Sequence, residues 1–320
     1  MRTLGITIGD IAGIGPEIIV RAWSQIASLP DCRCVVYGHT QIIRRACSLC
    51  SVTAEIPCIQ CCDDTITEVA AGTVDARSGK AAYQALLCAI DDAKAGKIDG
   101  IVTAPLNKAA LNLAGYHYPG HTEILAERCG SDDFAMMLYL GHGENIRGQN
   151  GLAVVHVTLH TAMKTIFEQI TIESVLAKAK LADSFMRKIN PALAPRIGVC
   201  SLNPHAGEDG LFGDEEIRII RPAVERARTE GLHIDHPKPA DTIMLDARNG
   251  LYDAVVAMFH DQGHIALKLL GMYRAVNVTL GLPIIRTSPA HGTAFDRAWQ
   301  GTANPQGLLE AVKTAERLAR

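Results

Sequence analysis

The sequence predicts an α/β protein built on a mainly parallel sheet with helices on both faces. Short apolar runs of strand length alternate with stretches of helical spacing over the whole chain, the pattern of βα repeats rather than of segregated strands and helices. Several of these runs stop abruptly at histidines, acids or amides, and in open α/β sheets ligand-binding groups collect beyond the carboxyl ends of strands.

Leu4 to Ile8 reads as the first strand and turns through Gly9-Asp10-Ile11-Ala12-Gly13-Ile14-Gly15 into a helix opened by Pro16 and Glu17. Pro16 suits a first helical position, and Glu17 is expected to complement the positive end of the helix. Gly13 and Gly15 give G-x-G, but position 18 is isoleucine, so the dinucleotide fingerprint is not met. Cys34 to Tyr37 is a second strand, with a helix from about Gln41 to Cys50. From Gly79 to Ala95 the spacing is helical, with Tyr83, Leu86, Leu87 and Ile90 expected on one face. Gly100 to Pro105 is a buried strand with Asn107 and Lys108 beyond its end. Pro119-Gly120-His121-Thr122-Glu123 opens the next helix, with Thr122 the expected cap. Ala135 to Leu140, Leu152 to Val157 and Pro195 to Leu202 are further strands, and Gly141 to Gly151 is a polar, glycine-rich loop.

The balance of residues is that of an ordinary globular protein, with 48% hydrophobic, 20% charged and a net charge of −3. No basic block points to nucleic acid, no apolar run is long enough to span a bilayer, and no signal-peptide core follows Met1, so a cytoplasmic location is expected. Seven of the ten cysteines crowd between Cys32 and Cys62. Cys47 to Cys50 and Cys58 to Cys61 are each C-x-x-C, but the gap between the pairs is short for a zinc ribbon, which favours structural or incidental thiols.

The densest chemistry runs from Phe259 to Arg286. An apolar strand, Ala254 to Phe259, stops at His260-Asp261-Gln262, and Lys268, Arg274, Asn277 and Arg286 follow between apolar residues. Cations and an amide with few local acids suit an anionic small molecule. His160 and His205 likewise follow strand ends, so a parallel sheet offers a way to bring three imidazoles to one divalent metal. Hydrogen-bonded structural histidines would produce the same pattern. His264 shares a face with His260 if that stretch is helical and is read as an outer neighbour of any metal. His121, His156 and His291 are unassigned candidates.

The ordered motifs resemble one family across essentially the full chain. They are Gly9-Asp10 with Gly13-Ile14-Gly15-Pro16-Glu17, Val102-Thr103-Ala104-Pro105 with Lys108, Gly120-His121-Thr122-Glu123, Leu202-Asn203-Pro204-His205-Ala206-Gly207-Glu208, Pro239-Ala240-Asp241-Thr242, His260-Asp261-Gln262-Gly263, and Asn277 to Pro283 through Arg286-Thr287-Ser288. In these the chain is similar to the 4-hydroxythreonine-4-phosphate dehydrogenase family of vitamin B6 biosynthesis.

The resemblance implies an isocitrate/isopropylmalate dehydrogenase-like fold of two lobes, roughly 1–125 with 270–320 and 126–269. It further implies a homodimer with a shared active site in the cleft between lobes, and NAD (or NADP) bound without a Rossmann fingerprint. The family's metal ligands fall on His160, His205 and His260, for zinc or otherwise Mg, Mn or Co, and one histidine, His260, would come from the partner. Its substrate contacts fall on His121, Thr122, Lys268, Asn277 and Arg286; Asp241 is a candidate cofactor contact. Ile11, His264 and the segment Val154 to His160 depart from the biosynthetic pattern towards a branch that oxidises 4-phospho-D-threonate or 4-phospho-D-erythronate. The expected reaction is oxidation of the β-hydroxyl by NAD and loss of carbon dioxide, giving dihydroxyacetone phosphate. The alternatives are 4-hydroxythreonine-4-phosphate dehydrogenase itself and, from another class, a three-histidine metal lyase or hydrolase without nicotinamide.

Overall fold

A computed structural model describes residues 1–131 and 134–320. The chain divides into two compact units, residues 1–134 with 282–320 and residues 135–281. These boundaries differ from those expected at 125 and 269. The chain from 270 to 281 belongs with the second unit because the strand Val276–Leu280 pairs along its length inside that unit.

The first unit begins with β1 (Arg2–Thr7), α1 (Gly15–Ala27), β2 (Cys32–Gly38), α2 (Thr40–Leu49) and β3 (Cys58–Gln60). It continues with α3 (Ala76–Lys94), β4 (Gly100–Thr103), α4 (Lys108–Leu113) and α5 (His121–Cys129). The second unit contains β5 (Ala135–Leu140), β6 (Leu152–His156), α6 (Ile166–Gln169), α7 (Ile172–Ile189), β7 (Ile197–Val199) and α8 (Arg221–Thr229). It ends with α9 (Ala240–Arg248), β8 (Ala254–Ala257), α10 (His260–Gly271) and β9 (Val276–Leu280). The chain then returns to the first unit for β10 (Arg286–Pro289) and α11 (Gln306–Leu318).

In the first unit the strand order is β3-β2-β1-β4-β10, and every pairing is parallel. Leu4, Ile6, Ile101 and Val102 are fully buried, as befits strands covered on both faces. Helix α11 packs with α1 over these strands, and α3 packs with α4. In the second unit the order is β9-β5-β6-β8-β7. Strands β6, β8 and β7 are parallel, whereas β5 runs antiparallel to both β6 and β9. The expectation of a mainly parallel α/β sheet holds, with β5 the one reversed strand among the described strands of the second unit.

Local details depart from the sequence reading where tertiary contacts intervene. The buried stripe of α3 is Ala82, Ala85, Leu86, Ala89 and Ile90, with Tyr83 and Leu87 half-buried; Tyr83 stacks instead on Tyr116, ring centroids 3.9 Å apart. Glu17 lies in the first turn of α1, as expected, but does more than complement the helix end. It is fully buried and accepts hydrogen bonds from the amides of Trp299 and Gly301, tying α1 to the chain before α11. All ten cysteines are free thiols. Among the described residues no helix is long and apolar enough to cross a membrane.

Candidate functional site

In the second unit, β6 and β8 lie side by side in parallel, with His156 opposite Ala257. Thr158 continues the pairing: its amide and hydroxyl both donate to the Met258 carbonyl, at 3.1 and 2.9 Å. The residues just past the two strand ends must therefore meet, and the rings of His160 and His260 lie 6.0 Å apart. They line a concavity of about 390 Å³ with Leu159, Thr161, Met163 and Phe259. Gln262 anchors the start of α10, accepting from the Met258 amide at 2.8 Å and donating to the Ser201 carbonyl at 2.7 Å. Asp261 holds His260 Nδ1 at 2.7 Å, the kind of carboxylate contact that fixes an imidazole's tautomer and leaves Nε2 for a metal.

Behind this pair lies a second one. The His264 ring stacks on His260 at 3.8 Å with 11° between planes, and its Nδ1 is 3.1 Å from His156 Nε2. Both rings are buried. Burial, reinforced by the neighbouring histidines, pushes His156 down to about 3 and His264 down to about 4, so each is uncharged at neutral pH. A side chain at Gly263 would collide with His156 Nε2, which is why glycine follows Gln262.

His205 sits elsewhere in this unit, on the turn that follows β7. Residues His205, Ala206, Gly207, Glu208 and Asp209 all have positive φ (51°, 56°, 77°, 42° and 52°). Four of the five are not glycine, a conformation that costs about 1 kcal/mol or more per residue. The buried Glu216 carboxylate holds the entry to the turn, accepting from the amides of Leu202 and Asn203 at 2.7 and 2.8 Å and from Asn203 Nδ2 at 2.9 Å. His205 itself is exposed, 6.2 Å from the Phe212 ring. Among the described residues no group of three or more His, Cys, Asp or Glu side chains is placed to hold a metal ion. His160 and His260 fit as two nitrogen donors to a divalent cation; among the described residues no third donor joins them.

In the first unit a separate cluster forms where α5 begins. Arg286, the first residue of β10, is buried and donates from Nη2 to Thr103 Oγ1 at 2.8 Å. Burial pulls its guanidinium down to about 10, with Glu123 acting in the opposite direction. His121 opens α5, and desolvation of its ring, followed by the charge of Arg286, holds it well below the usual imidazole range although part of the residue stays exposed. Thr122 lies inside the helix instead of capping it; Gly120 occupies the cap position. Asn107 accepts from the Ala110 amide at 3.0 Å as the cap of α4, so it serves the helix rather than a ligand. Asp10, fully buried in the glycine-rich turn, accepts from the Ala12 amide at 2.9 Å while its other oxygen has no partner. Burial pushes it up to about 6.

The remaining expected residues are dispersed in the second unit. Lys268 lies two turns along α10 from His260, close enough to His264 for its charge to help depress that imidazole. Asn277 lies on β9 opposite Leu138, its amide oxygen buried without a hydrogen-bond partner. Asp241 is exposed on the first turn of α9. The sequence reading missed Glu216 and the pairing of His156 with His264. Only the four-residue spacing from His260 to His264 signalled the latter.

Comparison with known proteins fits this arrangement. The family model described as "Pyridoxal phosphate biosynthetic protein PdxA" matches residues 30–315. A D-threonate 4-phosphate dehydrogenase of Pectobacterium atrosepticum is 42% identical, with 99% of each chain covered. A 4-hydroxythreonine-4-phosphate dehydrogenase of Beijerinckia indica is 43% identical over 98% of this chain and 94% of its own. The crystal structure of a 4-hydroxythreonine-4-phosphate dehydrogenase from Klebsiella pneumoniae superposes with a TM-score of 0.84 at 39% identity, covering all of both chains. With an α/β fold and a full-length match in common with these dehydrogenases, the chain belongs to the PdxA family of pyridoxal phosphate biosynthetic proteins.

Proposed function

We propose that this protein is a dehydrogenase that uses a divalent metal, zinc first, and NAD or NADP to oxidise 4-phospho-D-threonate or 4-phospho-D-erythronate, releasing carbon dioxide and dihydroxyacetone phosphate. The observation that carries the reading is the meeting of His160 and His260 beside a pocket, in a chain 42% identical to a D-threonate 4-phosphate dehydrogenase. The second reading, oxidation of 4-hydroxythreonine 4-phosphate, is favoured by the 43% identity to an enzyme of that name.

His160, His205 and His260 would hold the cation. When bound, the cation supplies Lewis-acid polarisation of the substrate's β-hydroxyl, and the nicotinamide supplies the hydride acceptor. Arg286 and Lys268 would pair with the phosphate and carboxylate, while His121, Thr122 and Asn277 fix orientation through neutral hydrogen bonds. The unpartnered oxygen of Asn277 and the depressed imidazole of His121 suit neutral polar contacts. Asp241 is assigned to the cofactor.

A homodimer with a shared site completes the metal centre, since one chain brings only two of the three imidazoles together. Ile265 and Leu269 on α10, with Met272 and Tyr273 just after it, are all at least half exposed, an apolar stripe suited to a second copy. Equal mixing of inactive His205→Ala and His260→Ala proteins, unfolded and refolded together, is expected to restore about a quarter of wild-type turnover if sites are shared across a two-fold axis. No recovery on mixing would refute sharing. Parallel assays with 4-phospho-D-threonate, 4-phospho-D-erythronate and 4-phosphohydroxy-L-threonine, each with NAD and NADP, decide the substrate. Highest kcat/KM on the amino acid would overturn the first reading in favour of the second. Turnover without reduced nicotinamide would replace both with a lyase.

A further inference from the structure

We propose that His264 and His156 are positioning residues for His260, a buried imidazole pair that sets the plane of the His260 ring and hence the direction in which its nitrogen meets a divalent cation. The inference rests on reading His260 as a metal ligand.

The four-residue spacing of His260 and His264 on α10 is one at which two histidines often bind a metal together, but the geometry here forbids it. Rings 3.8 Å apart and within 11° of parallel have lone pairs in parallel planes that do not converge. Nδ1 of His264 is moreover engaged with His156 Nε2 at 3.1 Å. His156 and His264 are 3% and 6% exposed. Leucine would fill such sites without burying a polar ring, so packing alone does not account for two imidazoles there.

Their combined effect is directional. His156, at the end of β6, hydrogen-bonds His264, and His264 covers one face of His260. Asp261 holds the Nδ1 edge of the same ring at 2.7 Å. The ring is thus restrained on a face and an edge, and only Nε2 is left to present outward. Restraint of this kind removes rotamer freedom that a bare histidine would lose on binding a metal. Gly263 belongs to the device, because a side chain there would displace His156.

The test uses full-length His264→Leu and His264→Gln. Leucine removes both the stack and the hydrogen bond, while glutamine retains a polar group able to reach His156 but cannot stack; circular dichroism checks that each folds. Zinc affinity of the metal-stripped proteins, measured by chelator competition, is expected to fall about 10- to 100-fold in both. The visible band of the cobalt-substituted forms should shift, and kcat should fall with less change in KM. His156→Leu in the His264→Leu background should add less than about threefold, because the pair acts as a unit. A folded variant of either kind with wild-type zinc affinity and an unshifted cobalt band would overturn the inference while leaving the metal reading intact. Wild-type protein that binds no divalent cation would overturn both.

Discussion

The polar groups buried beside the two candidate sites differ in kind, although Glu216 is a buried carboxylate of the second unit as well. The first unit buries charge-bearing groups, Arg286, Glu17 and Asp10, each tied to a backbone amide or a hydroxyl. The second buries uncharged imidazoles, His156 and His264, tied to each other. A guanidinium desolvated to about 10 stays cationic in any physiological medium and pulls on anions. Imidazoles desolvated to about 3 and 4 stay neutral and tolerate a cation nearby. Under the proposed function the contrast divides the two buried groups: Arg286 of the first unit serves the anionic substrate together with Lys268 of the second, and the imidazole pair of the second unit stands beside the metal-binding histidine.

Removing Arg286 should break the contrast most severely. Arg286→Ala is expected to cost about 3 to 5 kcal/mol of transition-state binding, about 10²- to 10⁴-fold in kcat/KM, while zinc affinity stays within about threefold. Equal loss of zinc binding would show that the two buried groups do not act separately. Glu216→Gln comes next. It keeps the volume but swaps a carboxylate that accepts three hydrogen bonds for an amide, and unfolding by denaturant should report a loss of about 2 to 3 kcal/mol. Because the carboxylate holds the chain leading into the His205 turn, metal affinity should fall alongside stability; a stable variant with weakened metal binding would sharpen the assignment to that turn alone.

The smallest effects concern pH, and the two units should respond with opposite sign. Asp10 has a folded value near 6 against 3.8, so its contribution is full below 3.8 and is lost as pH rises through 6. Asp10→Asn should therefore gain about 1 to 2 kcal/mol over wild type at pH 7, after allowance for a weaker bond to the Ala12 amide, and nothing below about pH 4. His156 and His264 lie below their usual 6.5, so their contribution is full above 6.5 and is lost as pH falls towards 4. Denaturation of metal-free protein across that range should show His264→Leu with a flatter acid limb than wild type. Parallel acid limbs would remove the imidazole pair as the cause.

Much of this architecture was legible before any coordinates. Ala135–Leu140 was read with its observed ends, because a continuous apolar run bounded by polar residues has few other interpretations. Strand direction was not legible: the run says strand, but not that β5 runs antiparallel both to β6, the next strand, and to β9, far away in sequence. His160 and His260 come together within one chain, because adjacent parallel strands fix where their ends go, whereas the resemblance implies that His260 is supplied by a partner. His205 was grouped with them on the same logic, yet a left-handed turn supported by Glu216 carries it elsewhere within the chain. Such a turn has no sequence signature when four of its five residues bear side chains. Thr122 failed as a cap because Gly120 takes that position.

Gly263 carries one last consequence. The space that a side chain would need there is already filled by the ring of His156 and by Val154, so position 263 is coupled to both. Scanning substitutions one at a time would score position 263 as intolerant whatever its own chemistry. Only libraries that shrink residues 154 and 156 in the same molecule would make room for a side chain there and reopen the helix to other residues.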